Sequence, residues 1–242
     1  MKKLLYLLSM SFLLLQACSS SDDSSQSSSS VLLKKAIWND GSVYDYLYQG
    51  NKITKIQGND GSYSNFTYTG DFITKVESVD PNNSYSGRDE FFYSANSLIQ
   101  IKEFEGSVLK RKIDFVNNND NTRTRTHTLY NGTSTSTVVY KEYYLNDEFI
   151  KQEKFNSNGA VIFTTTFLYD DKNYKFKNVT GYKYIVHWYD NGGPNHNTIK
   201  TIETSTSYNN TTNYLFEYNS NNYPTKETWT DGTNTEIAQY YY

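Results

Sequence analysis

The chain has 242 residues, with 23 basic and 26 acidic side chains and a formal net charge of −3. No basic stripe accompanies this composition, which argues against a nucleic-acid-binding protein. The 24 tyrosines, 13 phenylalanines and many threonines favour strands, and no long stretch shows helical spacing, so an all-β body is predicted.

The amino terminus has the three parts of a secretory signal. Lys2 and Lys3 supply positive charge, residues 4–15 are largely apolar, and the small residue Ala17 precedes Cys18, the one cysteine of the chain. The apolar run is about 12 residues long, whereas a helix needs roughly 20 to span a bilayer. A permanent transmembrane anchor is therefore disfavoured, and residues 1–17 are predicted to be a removed signal peptide.

Residues 15–18, Leu-Gln-Ala-Cys, resemble the lipobox of bacterial lipoproteins. The resemblance implies cleavage before Cys18, transfer of a diacylglyceryl group to its thiol, and acylation of the new amino terminus with a long chain such as palmitate. Several acyl chains on one residue give stable membrane attachment. With one cysteine, the chain cannot form an intramolecular disulfide. Lipid on Cys18 explains why an exported chain has this single thiol.

Residues 18–30 are predicted to be the lipidated cysteine and a flexible tether, because serine-rich segments bury too little apolar surface to fold. Within them, Ser21, Asp22 and Asp23 resemble the acidic export signal of Bacteroidetes outer-membrane lipoproteins. The resemblance implies an outer-membrane location and favours the cell surface, with a periplasm-facing anchor as the alternative.

Residues 31–242 are predicted to form a single domain of repeated hairpins. One half of the unit is an aromatic-x-Tyr motif followed, after a polar pair, by a β-branched or aromatic residue. Copies begin at Tyr46, Phe66, Phe91, Tyr143, Phe167 and Phe216. The other half is an Asp-Gly or Asn-Gly turn, which supplies the positive φ of a tight hairpin. These turns lie at Gly41, Gly61, Gly159 and Gly232. The period of about 20–25 residues indicates a repeat architecture.

This pattern resembles the tyrosine-rich YD repeat of Rhs-type proteins. It predicts an all-β antiparallel meander of repeated hairpins that forms an extended, twisted or curled sheet, either an open half-barrel or a spiral. Cross-strand aromatic pairs would stabilise such a sheet. The cargo-enclosing shell of large Rhs proteins is not expected, because the repeats are too few. A transmembrane barrel ending at Tyr242 is disfavoured, because most strands lack an apolar face.

Residues that could carry chemistry are sparse. His127, His187 and His196 lack the spacing of a zinc helix, and the loop between the last two is explained by a hairpin turn. Turn geometry likewise explains the Asp-Gly sites without calcium. Carboxylate pairs such as Asp89 and Glu90 lie beside turns or strand ends, and no serine-nucleophile elbow occurs. No metal, cofactor or catalytic residue is therefore predicted.

The three tryptophans are the best candidates for ligand contact. Trp188 and Trp229 could stack on a ligand such as a sugar, although Trp38 and Trp229 occupy equivalent positions before their turns, which favours a packing role. The predicted function is a lipid-anchored, non-enzymatic outer-membrane or surface protein. It would be structural, or would present an extended β surface to a protein or glycan. The alternative is a glycan-binding accessory protein of a nutrient-uptake system.

Overall fold

The computed structural model describes residues 30–83, 86–189, 193–230 and 232–242. The predictions for the signal peptide, for Cys18 and for residues 19–29 lie outside the described residues. Residues 190–192, in the loop between His187 and His196, and residue 231, in the last Asp-Gly turn, also lie outside them. Within the described ranges, no helix is long and apolar enough to cross a membrane.

Sixteen strands in the described residues form one closed antiparallel barrel. They are β1 (Lys35–Trp38), β2 (Val43–Gln49), β3 (Lys52–Gly58), β4 (Tyr63–Thr69), β5 (Phe72–Val79), β6 (Ser86–Ser94), β7 (Ser97–Glu105), β8 (Val108–Asn117), β9 (Thr122–Asn131), β10 (Ser134–Leu145), β11 (Glu148–Phe155), β12 (Val161–Tyr169), β13 (Thr198–Ser205), β14 (Asn209–Tyr218), β15 (Pro224–Thr230) and β16 (Thr235–Tyr241). Short 3-10 helices cover Pro81–Asn83 and Tyr182–Tyr184, and one turn of α-helix, α1, covers Val186–Tyr189.

The prediction of an open half-barrel or spiral sheet is wrong, because the first and last strands pair with each other. Lys35 lies opposite Tyr241, and Trp38 lies opposite Ala238. Closure satisfies the backbone groups that two edge strands would otherwise expose. The all-β, antiparallel, hairpin-by-hairpin part of the prediction is confirmed, since each strand pairs with its neighbours in sequence.

The aromatic-x-Tyr unit is a bulged hairpin. In its first copy, Tyr48 pairs with Ile53 and Leu47 pairs with Lys55, so that Thr54 is an extra residue on β3. Such a bulge bends the strand and increases its twist, which favours barrel closure. The copy at Phe167 departs from the pattern: Tyr169 pairs with Thr198, because residues 170–197 are inserted between the two strands.

The tyrosine of this unit joins neighbouring hairpins. The Tyr93 hydroxyl donates to the carbonyl of Ile73 at 2.8 Å, and the Tyr169 hydroxyl donates to the carbonyl of Phe149 at 2.6 Å. Burial raises the pKa of both tyrosines, so both hydroxyls stay protonated and able to donate. Tyr48 and Tyr242 donate in the same way to Leu33 and Pro224. These bonds lie at one end of the barrel, here called the bulge end.

The opposite end, here called the Asp-Gly end, carries the predicted tight turns. Gly41 and Gly61 have φ values of 89° and 94°, which confirms the need for glycine at these positions. The Asp40 carboxylate accepts a hydrogen bond from the Ser42 backbone amide at 2.8 Å. The aspartate therefore stabilises its own turn, as the sequence-based explanation required.

Except at the bulges, side chains alternate between lumen and exterior along the strands, as β14 illustrates. Tyr214 and Phe216 point inward, whereas Asn213, Leu215 and Glu217 are exposed. The exterior also carries ion pairs, including Lys35–Asp45 at 3.4 Å, Lys112–Asp114 at 2.8 Å and Lys226–Glu217 at 2.8 Å. A membrane-spanning barrel presents an apolar band outward. These ion pairs would interrupt such a band, and exposed apolar side chains such as Leu47, Leu168 and Leu215 lie on the same outer face.

The segment that joins β12 to β13 folds into the lumen, and we call its described residues 170–189 and 193–197 the plug. Its apolar side chains pack against inward-facing residues of the strands. The shared core includes Leu33, Ile53, Ile73, Ile101, Tyr174, Phe176, Val179, Tyr182 and Ile185. This plug was not predicted from sequence, because Tyr174 was assigned to the repeat copy that begins at Phe167.

The plug is hydrogen-bonded to the bulge end. The Thr180 amide donates to the carbonyl of Asn51, in the β2–β3 turn, at 2.9 Å. The Asn178 side chain donates to the carbonyl of Val31 at 3.0 Å, just before β1 begins. Ser30 also contacts Asn51 through its hydroxyl. The plug therefore covers the bulge end, which is also the end where the chain enters the barrel.

Candidate ligand-binding cavity

A cavity of about 920 Å³ lies between the plug and the Asp-Gly end of the barrel. Trp38, Tyr44, Asn210 and Trp229 line it from strand ends at the Asp-Gly end, together with Glu236, whose side chain is exposed. The cavity therefore opens at the end opposite to the plug. Barrels of this kind can hold a ligand when side chains do not fill the interior completely.

Strand register places a carboxylate between two tryptophans near the mouth. On β15, Trp229 lies opposite Tyr214 of β14 on one side and opposite Glu236 of β16 on the other. Ala238, two residues after Glu236 on the same face, lies opposite Trp38 of β1. Glu236 is thus a direct neighbour of Trp229 and a diagonal neighbour of Trp38, both within reach of long side chains.

The plug forms the inner boundary of the cavity, to which it contributes Lys175, Phe176, Tyr182, His187 and Trp188 among others. The Lys175 ammonium lies 3.2 Å from the Tyr240 hydroxyl and 3.8 Å from the Glu227 carboxylate. Both charged side chains are largely buried, at 12% and 13% exposure. Lys175 therefore serves to neutralise Glu227 within the cavity wall.

Trp188 is held in place from the barrel wall. The Arg111 guanidinium lies over its ring at 4.8 Å, and Arg111 in turn forms a two-point ion pair with Glu103. Asp89 accepts hydrogen bonds from the side chains of Trp188 and Tyr189. Burial raises the pKa of the Asp89 carboxyl despite these bonds. Strands β6 to β8 thus fix α1 and the indole that it presents to the cavity.

The wall beside the cavity contains a buried ionic cluster on β9 and β10. Glu142 is 1% exposed, and its carboxylate oxygens lie 2.7 Å from Arg123 Nε and 2.9 Å from an Arg125 terminal nitrogen. Nearby, burial and then the charges of Arg125 and Arg111 lower the pKa of His127 to about 3, so this imidazole is neutral at physiological pH. The interior is therefore polar on this side.

The structure brings the predicted ligand-stacking residues together. Trp188 lies on the plug and Trp229 on β15, and both line the same cavity with Trp38. Their ligand role stays a prediction. Trp38 and Trp229 also keep their equivalent positions in the repeat. The predicted packing role of these two side chains is therefore compatible with their access to the cavity. Tyr214 and Glu236 were not among the predicted site residues, although the inward alternation of β14 and β16 could have indicated them.

The other residues considered from sequence are dispersed. His127 lies in the wall, the His187 ring contacts Phe149 at 4.6 Å, and His196 lies 2.9 Å from Glu148. Within the described ranges, no group of three or more histidine, cysteine or acidic residues could hold a metal ion. Asp89 and Glu90 point to opposite faces of β6, since Asp89 contacts the plug and Glu90 pairs with Arg88.

No family model and no curated protein matches the chain. Among solved structures, it is similar to a porin-like protein from Bacteroides uniformis, with 14% sequence identity and a TM-score of 0.38. The match covers 83% of this chain and 77% of that chain. A likeness at this level identifies neither a family nor a function, so any functional assignment depends on the cavity.

Proposed function

We propose that the chain is a non-enzymatic, lipid-anchored protein of the bacterial outer membrane whose barrel binds a saccharide in its lumen. The observation that carries this proposal is the cavity of about 920 Å³, covered by the plug at one end and lined by three tryptophans. Ligand pockets have volumes of roughly 300–1,000 Å³ and combine aromatic walls with a few polar groups. This cavity fits that description.

The mixture of lining groups favours a polyhydroxylated ligand. The apolar faces of sugar rings can pack on Trp38, Trp188 or Trp229, and sugar hydroxyls can bond to polar side chains. Gln152 and Glu203 are among the polar residues that line the cavity. A purely apolar ligand would displace water from these groups without replacing its hydrogen bonds, which is unfavourable. A sugar can pack on the aromatic residues and form hydrogen bonds with the polar residues of the lining.

The closed fold also changes the mode of recognition that was expected from sequence. An extended β sheet would have offered a broad surface to a macromolecule, whereas this lumen admits a small molecule or the end of a longer chain. A saccharide therefore replaces the extended protein or glycan surface as the leading proposal. The charged exterior of the barrel supports attachment through lipid on Cys18 rather than insertion of the strands into the membrane.

A matched pair of substitutions on β14 tests the cavity. Thr212 lines it, whereas Thr211 is exposed on the outer face. Thr212→Phe should weaken saccharide binding at least about tenfold, because the ring would occupy ligand space, at a loss of roughly 1.4 kcal/mol in binding free energy. Thr211→Phe should leave binding unchanged. The measurement is binding to an array of neutral, acidic and amino oligosaccharides, with circular dichroism to verify folding.

The proposal fails if wild-type protein binds no saccharide on the array. It also fails if folded Thr212→Phe protein binds as tightly as wild type, because the ligand would then lie outside the lumen.

Attachment through lipid is tested by Cys18→Ser. The variant should be released from the membrane fraction and should stay folded and monodisperse without detergent, because the described barrel presents ion pairs outward. Fractionation of cells, followed by circular dichroism of the detergent-free protein, measures both properties. A variant that still sediments with membranes would show that the barrel itself, and not Cys18, provides attachment.

A further inference from the structure

We propose that the saccharide is an amino sugar with a free, positively charged amine. This inference rests on the proposed function and specifies the ligand of the same cavity. Its starting point is the charge of the wall: of the lining residues that the structure describes, Glu203, Glu227 and Glu236 are acidic, whereas Lys175 is the one lysine or arginine.

The single lysine does not neutralise all of this charge. Lys175, on the plug, lies beside Glu227 and the Tyr240 hydroxyl and is largely buried. Glu236 is at the mouth on β16, and Glu203 is on β13, on a different part of the wall. Two carboxylates therefore remain to attract a cation, and an acidic sugar would be repelled.

The surroundings of Glu236 suit an ammonium group attached to a sugar ring. Its cross-strand neighbour is Trp229, and its diagonal neighbour is Trp38. A sugar ring that stacks on either indole would bring a substituent amine toward the carboxylate. The amine would donate a charge-assisted hydrogen bond to the Glu236 carboxylate and would be attracted electrostatically to the indole faces. A neutral hydroxyl at the same place would gain less from either contact.

Tryptophan fluorescence can measure ligand binding in this experiment. All three of its tryptophans line the cavity, so intrinsic fluorescence reports occupancy without a label. The ligands are three β-1,4-linked tetrasaccharides of matched length, built from glucosamine, from N-acetylglucosamine and from glucose. The titrations are done at mildly acidic pH, at which the glucosamine amines are protonated.

The glucosamine tetrasaccharide should bind at least about tenfold more tightly than either neutral one, an advantage that added salt should reduce. Glu236→Gln should remove most of this preference while it leaves the affinity for the neutral sugars within about twofold. Glu217→Gln, on the exposed outer face of β14, is the matched control and should behave as wild type. Glu203→Gln is a second variant for the case that Glu236→Gln is poorly folded, and it should reduce the preference in the same direction.

The outcomes separate the two proposals. If a neutral tetrasaccharide binds as tightly as the amino sugar, or if Glu236→Gln keeps the full preference, the amino-sugar inference is wrong while saccharide binding stands. If no tetrasaccharide changes the fluorescence and the oligosaccharide array is also negative, the proposed function fails, and this inference fails with it.

Discussion

Replacing Glu142 by alanine is expected to destabilise the barrel by about 3–5 kcal/mol, because the change leaves buried positive charges without a partner. The Glu142 carboxylate is 1% exposed and lies between Arg123 and Arg125. It also accepts a hydrogen bond from the Tyr144 hydroxyl at 2.9 Å. Both guanidinium groups are largely shielded from water, so solvent cannot replace the lost carboxylate.

Thermal unfolding followed by circular dichroism measures this effect, which corresponds to a decrease in Tm of roughly 6–20 °C for a protein of this size. Glu77→Ala is the matched control, since Glu77 pairs with Lys75 at 2.8 Å on the exterior. An exposed pair contributes about 0–1 kcal/mol. Equal effects of the two substitutions would contradict the structural role assigned to Glu142.

The pH dependence of stability gives an independent readout for Glu142. Burial would raise its pKa, but the charges of Arg123 and Arg125 outweigh burial, so the pKa lies below the ordinary value of 4.5. A lowered folded-state pKa stabilises the fold above pH 4.5, and this stabilisation is lost as the pH falls toward the folded-state value. Wild type should therefore lose more stability in acid than Glu142→Ala does.

Gly181→Ala is expected to weaken docking of the plug by about 2–5 kcal/mol, through backbone strain and overpacking together. Gly181 has φ of +78°, and an added Cβ would lie 2.5 Å from the carbonyl oxygen of Asp71 and 3.2 Å from the amide nitrogen of Ile73. The plug therefore approaches the backbone of β5 as closely as glycine allows. Any side chain at this position must move the plug away from the wall.

Limited trypsin digestion and chemical denaturation measure this effect. Lys183, two residues away, is exposed, and cleavage after it should become faster when the plug undocks. Gly70→Ala is the matched control: its φ is also positive, at +57°, but nothing lies within 4 Å of the added Cβ. The control should cost about 1–2 kcal/mol from strain and should not accelerate cleavage in the plug. Equal proteolysis of the two variants would contradict the close contact at Gly181.

The hairpins were predictable from sequence because their determinants are local. Tyr48 and Ile53 lie on either side of one short turn, and Gly41 supplies the φ of another. Closure was not predictable, because Lys35 and Tyr241 are separated by almost the whole folded chain and no local pattern specifies their pairing. A meander with the same repeats could have remained open, and only the accumulated twist and tilt of all strands bring the ends together.

Some residues of the candidate site were predictable from sequence, but its geometry was not. Trp188 and Trp229 were identified as aromatic side chains able to stack on a ligand, but their convergence on one cavity depends on the plug and on barrel closure. Glu236 resembles any other charged residue near a turn until the register of β16 places it beside Trp229. The sequence therefore shows that these side chains lie on strands, but it does not show which of them meet in the lumen.

The contacts at the start of the barrel determine where a lipid tether would leave the fold. The Ser30 hydroxyl contacts Asn51, and the Val31 carbonyl accepts a hydrogen bond from Asn178 of the plug. A chain attached through Cys18 would therefore have its tether at the plugged end, opposite to the open end of the cavity. A ligand could then enter the cavity without passing the tether.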